Sequence, residues 1–483
     1  MSQDEMLISR TLCDMQGKHA LVIGDVMLDQ FIDGQVKRIS PEAPVPILST
    51  SNIWQIPGGA ANVACNLAHL GLRVSLTGVI GDDETGDALQ AALASLDAVT
   101  FWPQIEAGRV TSKKTRFRSA GQQILRVDDE TTAPVTVNTA SALLDRVTQQ
   151  CAEADIIIIS DYAKGCLTDD VLRGVIAAAH AASVPVIADP KRASFAAYAG
   201  VTLLTPNIAE LRGEASLPAD TDFTDITAIA EATGALATAS KIAQIMLTMS
   251  ADGMLLVNQD GTHTHAAATA REVFDVSGAG DTVIATLAAA MATGGTAADA
   301  ITIANIAAGV AVEKSGTSIV APGEILGALS LSTPSTDHAH WAAICQEWRA
   351  QDQKIGFANG CFDLLHPGHL YLLHAASQHC DKLIVGLNSD ASVRRLKGPT
   401  RPLQSAEQRA AILASLPFID GVAIFEQDTP LELVTTLQPD YIIKGGDYVA
   451  DDVVGAEIVR ARGGDVIIIP TFGAHSTTAI AGR

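Results

Sequence analysis

The sequence predicts an α/β protein built on two mostly parallel sheets, the first and larger carrying a projecting β lid. Three observations predict it. Short β-branched runs alternate with longer alanine-rich stretches along nearly the whole chain. Runs such as Ile156-Ile157-Ile158-Ile159 are apolar at every residue, which suits strands buried on both faces and hence a parallel sheet. The alternation stops once, around Ser330, and then restarts.

Taken in order, strands are expected at 20–24, 74–80, 155–160, 184–188 and 244–248, each followed by turn residues and a helical pattern. Segments 30–56 and 109–130 are more polar and alternating. They read as antiparallel strands projecting from the main sheet, a lid or a dimer contact. Residues 332–336, Ser-Thr-Pro-Ser-Thr, have the composition of a linker. A helix is expected at 338–349, then strands at 354–358, 382–387, 422–425, 441–443 and 466–469. The expected division is 1–330 for the first domain, 331–353 for linker and leading helix, and 354–483 for the second domain.

Composition narrows the function. The chain has 483 residues, 48% hydrophobic and 18% charged, which is globular usage. Its net charge of −22 and 4% aromatic content argue against nucleic acid, which needs a basic face and stacking rings. Seven scattered cysteines without a Cys-x-x-Cys pair argue against a disulfide framework or a structural zinc site. The first 18 residues lack the apolar core of a signal peptide, and no apolar run reaches spanning length. A cytoplasmic protein without a membrane partner is expected.

Two glycine-bearing segments carry chemistry in the first domain. Asp275-Val276-Ser277-Gly278-Ala279-Gly280-Asp281-Thr282 opens a long alanine-rich helix. Small residues there let backbone N–H groups converge on an anion, and Asp281 can accept a proton from an attacking hydroxyl. Pro57-Gly58-Gly59-Ala60-Ala61-Asn62 allows close backbone approach to a ligand, with Asn62 offering a donor and an acceptor to sugar hydroxyls. Together they resemble both signatures of the ribokinase-like (PfkB) carbohydrate kinases, in that family's order. The resemblance covers 20–325 and takes in Gly24-Asp25 with Asp29 on the first strand, Asn207-Ile208-Ala209-Glu210, and Ser250-Ala251-Asp252-Gly253.

The resemblance implies that Asp281 is the catalytic base and that Gly278, Ala279 and Gly280 form the anion hole. It implies ATP held by Asn207, Ile208, Ala209, Glu210, Ser250 and Gly253, with Mg2+ organised by the Asn-x-x-Glu pair. Sugar is expected at Asp29, Gly58, Gly59, Asn62, Arg38 and Lys113. Arg38 and Lys113 enter because basic clusters, Lys37-Arg38 and Lys113 to Arg118, stand out in an acidic chain and suit an anionic ligand, although either could be a lysine- or arginine-protected strand edge. Arg38-Ile39-Ser40-Pro41-Glu42-Ala43-Pro44-Val45-Pro46 resembles the heptose 7-phosphate kinase branch.

In the second domain a strand leads into Asn359-Gly360-Cys361-Phe362-Asp363-Leu364-Leu365-His366-Pro367-Gly368-His369. Pro367 suits the first helical turn, and histidines three apart meet on one side of the helix N-terminus, where they can hold phosphate oxygens. No Cys, His or Asp cluster completes a metal site, so no metal ligand is assigned. This segment resembles the His-x-Gly-His nucleotidyltransferase superfamily over 354–483. The likeness implies a Rossmann-like domain with catalytic His366 and His369. It implies ATP and substrate contacts at Phe362, Asp363, Lys397, Arg401, Lys444, Asp447, Ser476 and Thr477. Cys361 is read as packing, because the superfamily's reaction is direct displacement on the α-phosphate.

The expected architecture is a ribokinase-like sheet with a β lid, linked to a Rossmann-like nucleotidyltransferase domain, and the resemblance carried by Arg38 to Pro46 implies heptose phosphates and ATP as substrates. The expected steps are phosphorylation of the anomeric hydroxyl to a 1,7-bisphosphate and, once a separate phosphatase has removed the 7-phosphate, adenylyl transfer to the 1-phosphate, in a homodimer joined through the kinase part. Two alternatives stay open: another sugar phosphate or nucleotide, or a second domain that binds nucleotide without turnover.

Overall fold

The computed structural model describes residues 3–120, 122–214, 217, 221–268, 276, 278–314, 319–332, 336, 338–416, 418–446 and 449–470. The chain forms two compact units, Met1–Ile325 and Leu326–Arg483. In the first lie strands β1 (His19–Gly24), β2 (Val26–Ile39), β3 (Pro46–Gly59), β4 (Arg73–Ile80), β5 (Val99–Ile105), β6 (Ser112–Ser119) and β7 (Gln122–Asp129). They continue as β8 (Ile156–Ser160), β9 (Val186–Asp189), β10 (Leu203–Leu204), β11 (Gln244–Thr248), β12 (Met254–Asn258) and β13 (His263–Ala266).

Nine of these form one sheet in the order β13-β12-β11-β10-β9-β8-β1-β4-β5. Every pairing from β5 to β11 is parallel, and β12 and β13 add an antiparallel edge. The four isoleucines of β8 are wholly buried, so helices cover both faces there, as a continuous apolar run requires. Strand direction matters for function, because loops at the carboxyl ends of parallel strands collect on one edge.

The lid is a second sheet, ordered β3-β2-β6-β7. The expected antiparallel pairing holds for β2 with β3 and for β6 with β7, but β2 and β6 lie side by side in parallel. The reason is topological. Both strands leave the carboxyl ends of parallel strands, β1 and β5, so both run outward the same way. Asp29 accordingly sits on β2, in the lid, and not on the first strand of the main sheet.

The second unit holds five parallel strands, β14 (Ile355–Gly360), β15 (Lys382–Asn388), β16 (Gly421–Phe425), β17 (Tyr441–Gly445) and β18 (Asp465–Ile469). Their order, β16-β15-β14-β17-β18, reverses beside β14, which opens a crevice at its carboxyl end. The leading helix His338–Ala350 belongs to this unit's core: Trp341, Ile344, Cys345 and Trp348 pack with Phe357, Phe425 and Leu433.

Candidate active sites

The first site gathers where the lid meets the carboxyl edge of the main sheet. Helix Ala279–Ala292 begins at Gly278, whose φ of 80° is the left-handed backbone that favours glycine. Asp281 in its first turn is only 5% exposed. Its Oδ2 accepts from Asn62 Nδ2 at 2.7 Å, and its Oδ1 accepts from the Tyr162 hydroxyl at 2.7 Å. Asn62 stands in helix Ala60–His69, so residues far apart in sequence meet. Burial raises the Asp281 carboxyl to about 6, while the Asn62 and Tyr162 hydrogen bonds pull the other way. A carboxylate with that affinity for a proton can take one from a hydroxyl and still be ionised at neutral pH.

The surroundings hold this geometry. Asp25 accepts from the backbone N–H groups of Tyr162, Lys164 and Cys166, which pins the loop after β8 under the site. Asp29 accepts from Arg116 Nη1 at 2.5 Å. Gly58 lies against Asp29: a Cβ on it would come within 2.6 Å of Oδ2, so only glycine lets β3 pass. Gly59, the N-cap of helix Ala60–His69, follows at once.

Beside this site a cavity of about 1130 Å³ is lined by Asn207, Ile208, Ala209, Thr248, Ser250, Asp252 and Met249, among others. It brings together most of the residues expected to hold ATP. Gly253 follows this wall, with φ of 85°. Asn207 and Glu210 make a reciprocal capping box on helix Ile208–Arg212, and Glu210 also pairs with Lys191 at 2.8 Å. Burial pushes the Asp189 carboxyl well above its ordinary value, and negative Asp281 and Glu210 add to the push. A divalent cation would relieve that repulsion. Among the described residues no three ligating side chains cage a metal. The fit is therefore to a cation held largely by phosphates, as Mg2+ commonly is.

Other expected sugar contacts lie apart from Asp281. Lys113 projects from the opposite face of β6 to Lys114 and pairs with Asp129 at 3.3 Å. Arg38 is exposed towards the far end of β2. Tyr162, which donates to Asp281, and Asp189, whose carboxyl Asp281 acts on, stand at this site without having been singled out in the sequence. One signal was available: Asp161-Tyr162-Ala163-Lys164-Gly165 is a turn segment at a strand's carboxyl end.

The second site lies at the carboxyl end of β14. His366 caps helix Pro367–Ser377, with Pro367 in its first turn. The His366 and His369 rings stack at 3.7 Å, and Phe362 meets His369 edge-on at 5.1 Å. Phe362 has φ of 43°, unusual for an aromatic residue and typical of a strained functional turn. Burial and the His366 charge lower His369 to about 4, so it is neutral at pH 7. Lys444, at the end of β17, donates to Asn359 Oδ1 at 2.5 Å, and burial lowers it to about 8.

Asp363, 1% exposed, is a scaffold: it accepts from Arg401 Nη1 at 2.5 Å and from the Leu403 backbone. Lys397 is exposed, at the end of helix Asp390–Lys397. The buried Arg409 donates to the Cys361 and Asn388 carbonyls and to Asp390, fixing the loop after β14. Burial raises the Cys361 thiol, which suits packing rather than attack. Asp447, Ser476 and Thr477, and Ser277 in the first site, lie outside the described residues.

A carbohydrate kinase followed by a nucleotidyltransferase is the class these two sites and folds define. The pfkB family carbohydrate kinase profile matches residues 18–323, and the Cytidylyltransferase-like profile matches 357–478. The Bifunctional protein HldE of Hyphomonas neptunium is 47% identical over 97% of this chain and 96% of its own length. The protein of the same name from Gluconobacter oxydans is 44% identical over 95% and 96%. The chain belongs to the family of the Bifunctional protein HldE. Phosphofructokinase-2 from Escherichia coli, in complex with potassium, superposes with a TM-score of 0.55 at 20% identity. That alignment covers 64% of this chain and 97% of the other, and it shows the ribokinase-like fold of the first unit.

No helix among the described residues is long and apolar enough to cross a membrane.

Proposed function

We propose that this chain makes ADP-heptose, a precursor of the lipopolysaccharide core, by two separate transfers. The first unit, assigned to 1–330, phosphorylates D-glycero-β-D-manno-heptose 7-phosphate. Asp281 takes the proton from the anomeric hydroxyl, the freed oxygen attacks the γ-phosphorus of ATP, and ADP leaves. The N–H groups of Gly278, Ala279 and Gly280 face the charge that develops. Asp189 and Glu210 stand where they would face Mg2+ brought in on the ATP phosphates, and the ion would there offset phosphate charge. The second unit, assigned to 354–483 with 331–353 leading into it, acts on the 1-phosphate left once the 7-phosphate has been removed. A 1-phosphate oxygen attacks the α-phosphorus of ATP, pyrophosphate leaves, and ADP-D-glycero-β-D-manno-heptose forms. His366 and neutral His369 donate to the phosphate oxygens, and Lys444 supplies positive charge.

One observation carries this reading: the likeness to the Bifunctional protein HldE runs through both units at 47% identity. The segment from Arg38 to Pro46 supports the choice of heptose. Mixing the protein with ATP and each heptose phosphate, then weighing the products, tests it. The 1,7-bisphosphate and the ADP-sugar should appear from the 7-phosphate and the 1-phosphate respectively. Turnover of other sugar phosphates alone would overturn the heptose assignment.

The finer readings are a cytoplasmic enzyme, where ATP is supplied, and a homodimer through the lid. Supporting the dimer, Ile53, Ile32, Phe117 and Leu125 form one apolar row across all four lid strands. Ile53 is 58% exposed and Leu125 54%, and such a row is normally covered. The double variant Ile53→Lys/Leu125→Lys should sediment as a monomer where the parent protein sediments as a dimer.

A further inference from the structure

The lid face that turns towards Asp281 carries a row of cations. Residues two apart on β6 share a face, so Lys114, Arg116 and Arg118 line one side. Their register partners on β2 are Asp29, Phe31 and Asp33. Arg116 is tied to Asp29 at 2.5 Å and Arg118 to Asp33 at 2.8 Å. Lys114, alone of the three, has no carboxylate at ion-pair distance among the described residues. Its ammonium lies 5.3 Å from the centre of the Tyr162 ring, and the hydroxyl of that ring donates to Asp281.

Charge makes the position unusual. Burial does most to lower the Lys114 pKa, and Lys164, itself paired with Glu130 at 2.6 Å, and Arg116 add to it. Asp29 and Asp128 offset this only in part. A half-buried ammonium with no carboxylate at ion-pair distance carries a desolvation cost that a bound anion would offset. In a chain of net charge −22, that placement requires a reason.

We propose that Lys114 anchors the phosphate that the sugar substrate already carries, gripping it from the lid while the anomeric hydroxyl faces Asp281. This rests on the kinase reading above. A second phosphate, the γ-phosphate of ATP, also reaches Asp281. The cavity suited to ATP, however, is lined by residues between 207 and 267 and by none from the lid. The two phosphates thus approach Asp281 from different sides.

Initial rates of Lys114→Met, Lys114→Arg and the parent enzyme, with heptose 7-phosphate, with unphosphorylated heptose and with varied ATP, test this. Lys114→Met should raise KM for the 7-phosphate by about tenfold or more, the usual effect of losing a charge-assisted contact. It should leave KM for ATP and for the unphosphorylated sugar nearly unchanged, and Lys114→Arg should recover most of the affinity. Turnover of the unphosphorylated sugar shows that the variant is folded. Equal losses with both sugars would make Lys114 an electrostatic support for Asp281 and overturn the assignment. A rise in KM for ATP would move the contact to the γ-phosphate, and an unchanged KM for the 7-phosphate would place the anion site elsewhere. A parent enzyme that phosphorylates neither sugar sinks the kinase reading itself.

Discussion

The two active sites use desolvation in opposite senses. Around Asp281 burial raises an acid, leaving a carboxylate near 6 that can accept a proton. Around β14 burial lowers bases, leaving Lys444 near 8 and His369 near 4. Both sites sit at helix N-termini, Ala279–Ala292 and Pro367–Ser377, where free N–H groups favour anions. The difference follows the chemistry. Attack by a neutral hydroxyl requires a base. Attack by a phosphate that is already anionic needs donors and positive charge, and Asp363, in the loop after β14, is committed to Arg401 and Leu403.

That contrast can be broken most sharply at Asp281. Asp281→Asn should lower bisphosphate formation by about 10²–10⁴, the usual effect of losing a general base, and leave adenylyl transfer unchanged. The converse variant, His366→Ala with His369→Ala, should lower ADP-heptose formation by about 10²–10³ with the kinase rate intact. A variant at either site that silences both activities while still folded would show that the units are coupled.

Smaller effects sharpen the comparison. Lys444→Met should raise KM for ATP in adenylyl transfer by about tenfold. The weakest signature is in the pH profiles, and the signs are opposite. The kinase should lose activity as pH falls through about 6, where Asp281 takes up a proton. The transferase should lose activity as pH rises through about 8, where Lys444 gives one up. Profiles with the same limb in both reactions would remove the distinction.

Much of the frame was legible because it rests on local pattern. The run at 156–159 is buried strand, and Pro367 starts its helix. Four strands were not expected, β12 (Met254–Asn258) and three that escaped for physical reasons. Leu203–Leu204 is two residues long, too short for any period. Val99–Ile105 carries Pro103, tolerable because β5 is an edge strand. His263–Ala266 is exposed and polar. In the sites, glycine-rich turns and paired histidines were readable because their spacing is local. Tyr162 was not, and within the basic cluster Lys113 to Arg118 the choice of Lys114 was not, because both depend on which face of β6 meets the loop after β8. The same limit applied to Lys113, one residue from Lys114 and on the other face.

The helix His338–Ala350 has a consequence for synthesis. Trp341 packs against Gly421, and His338 lies within 3.0 Å of the Ile424 carbonyl oxygen, yet β16 is made some 70 residues later. At roughly 5–20 residues per second, the helix waits several seconds with its indole faces uncovered. Its own partner strand is the edge of the sheet, so β14 and β15 emerge from the ribosome before the helix can be sealed. The helix is therefore fully covered only once β16 is made, while β17 and β18 are still to come.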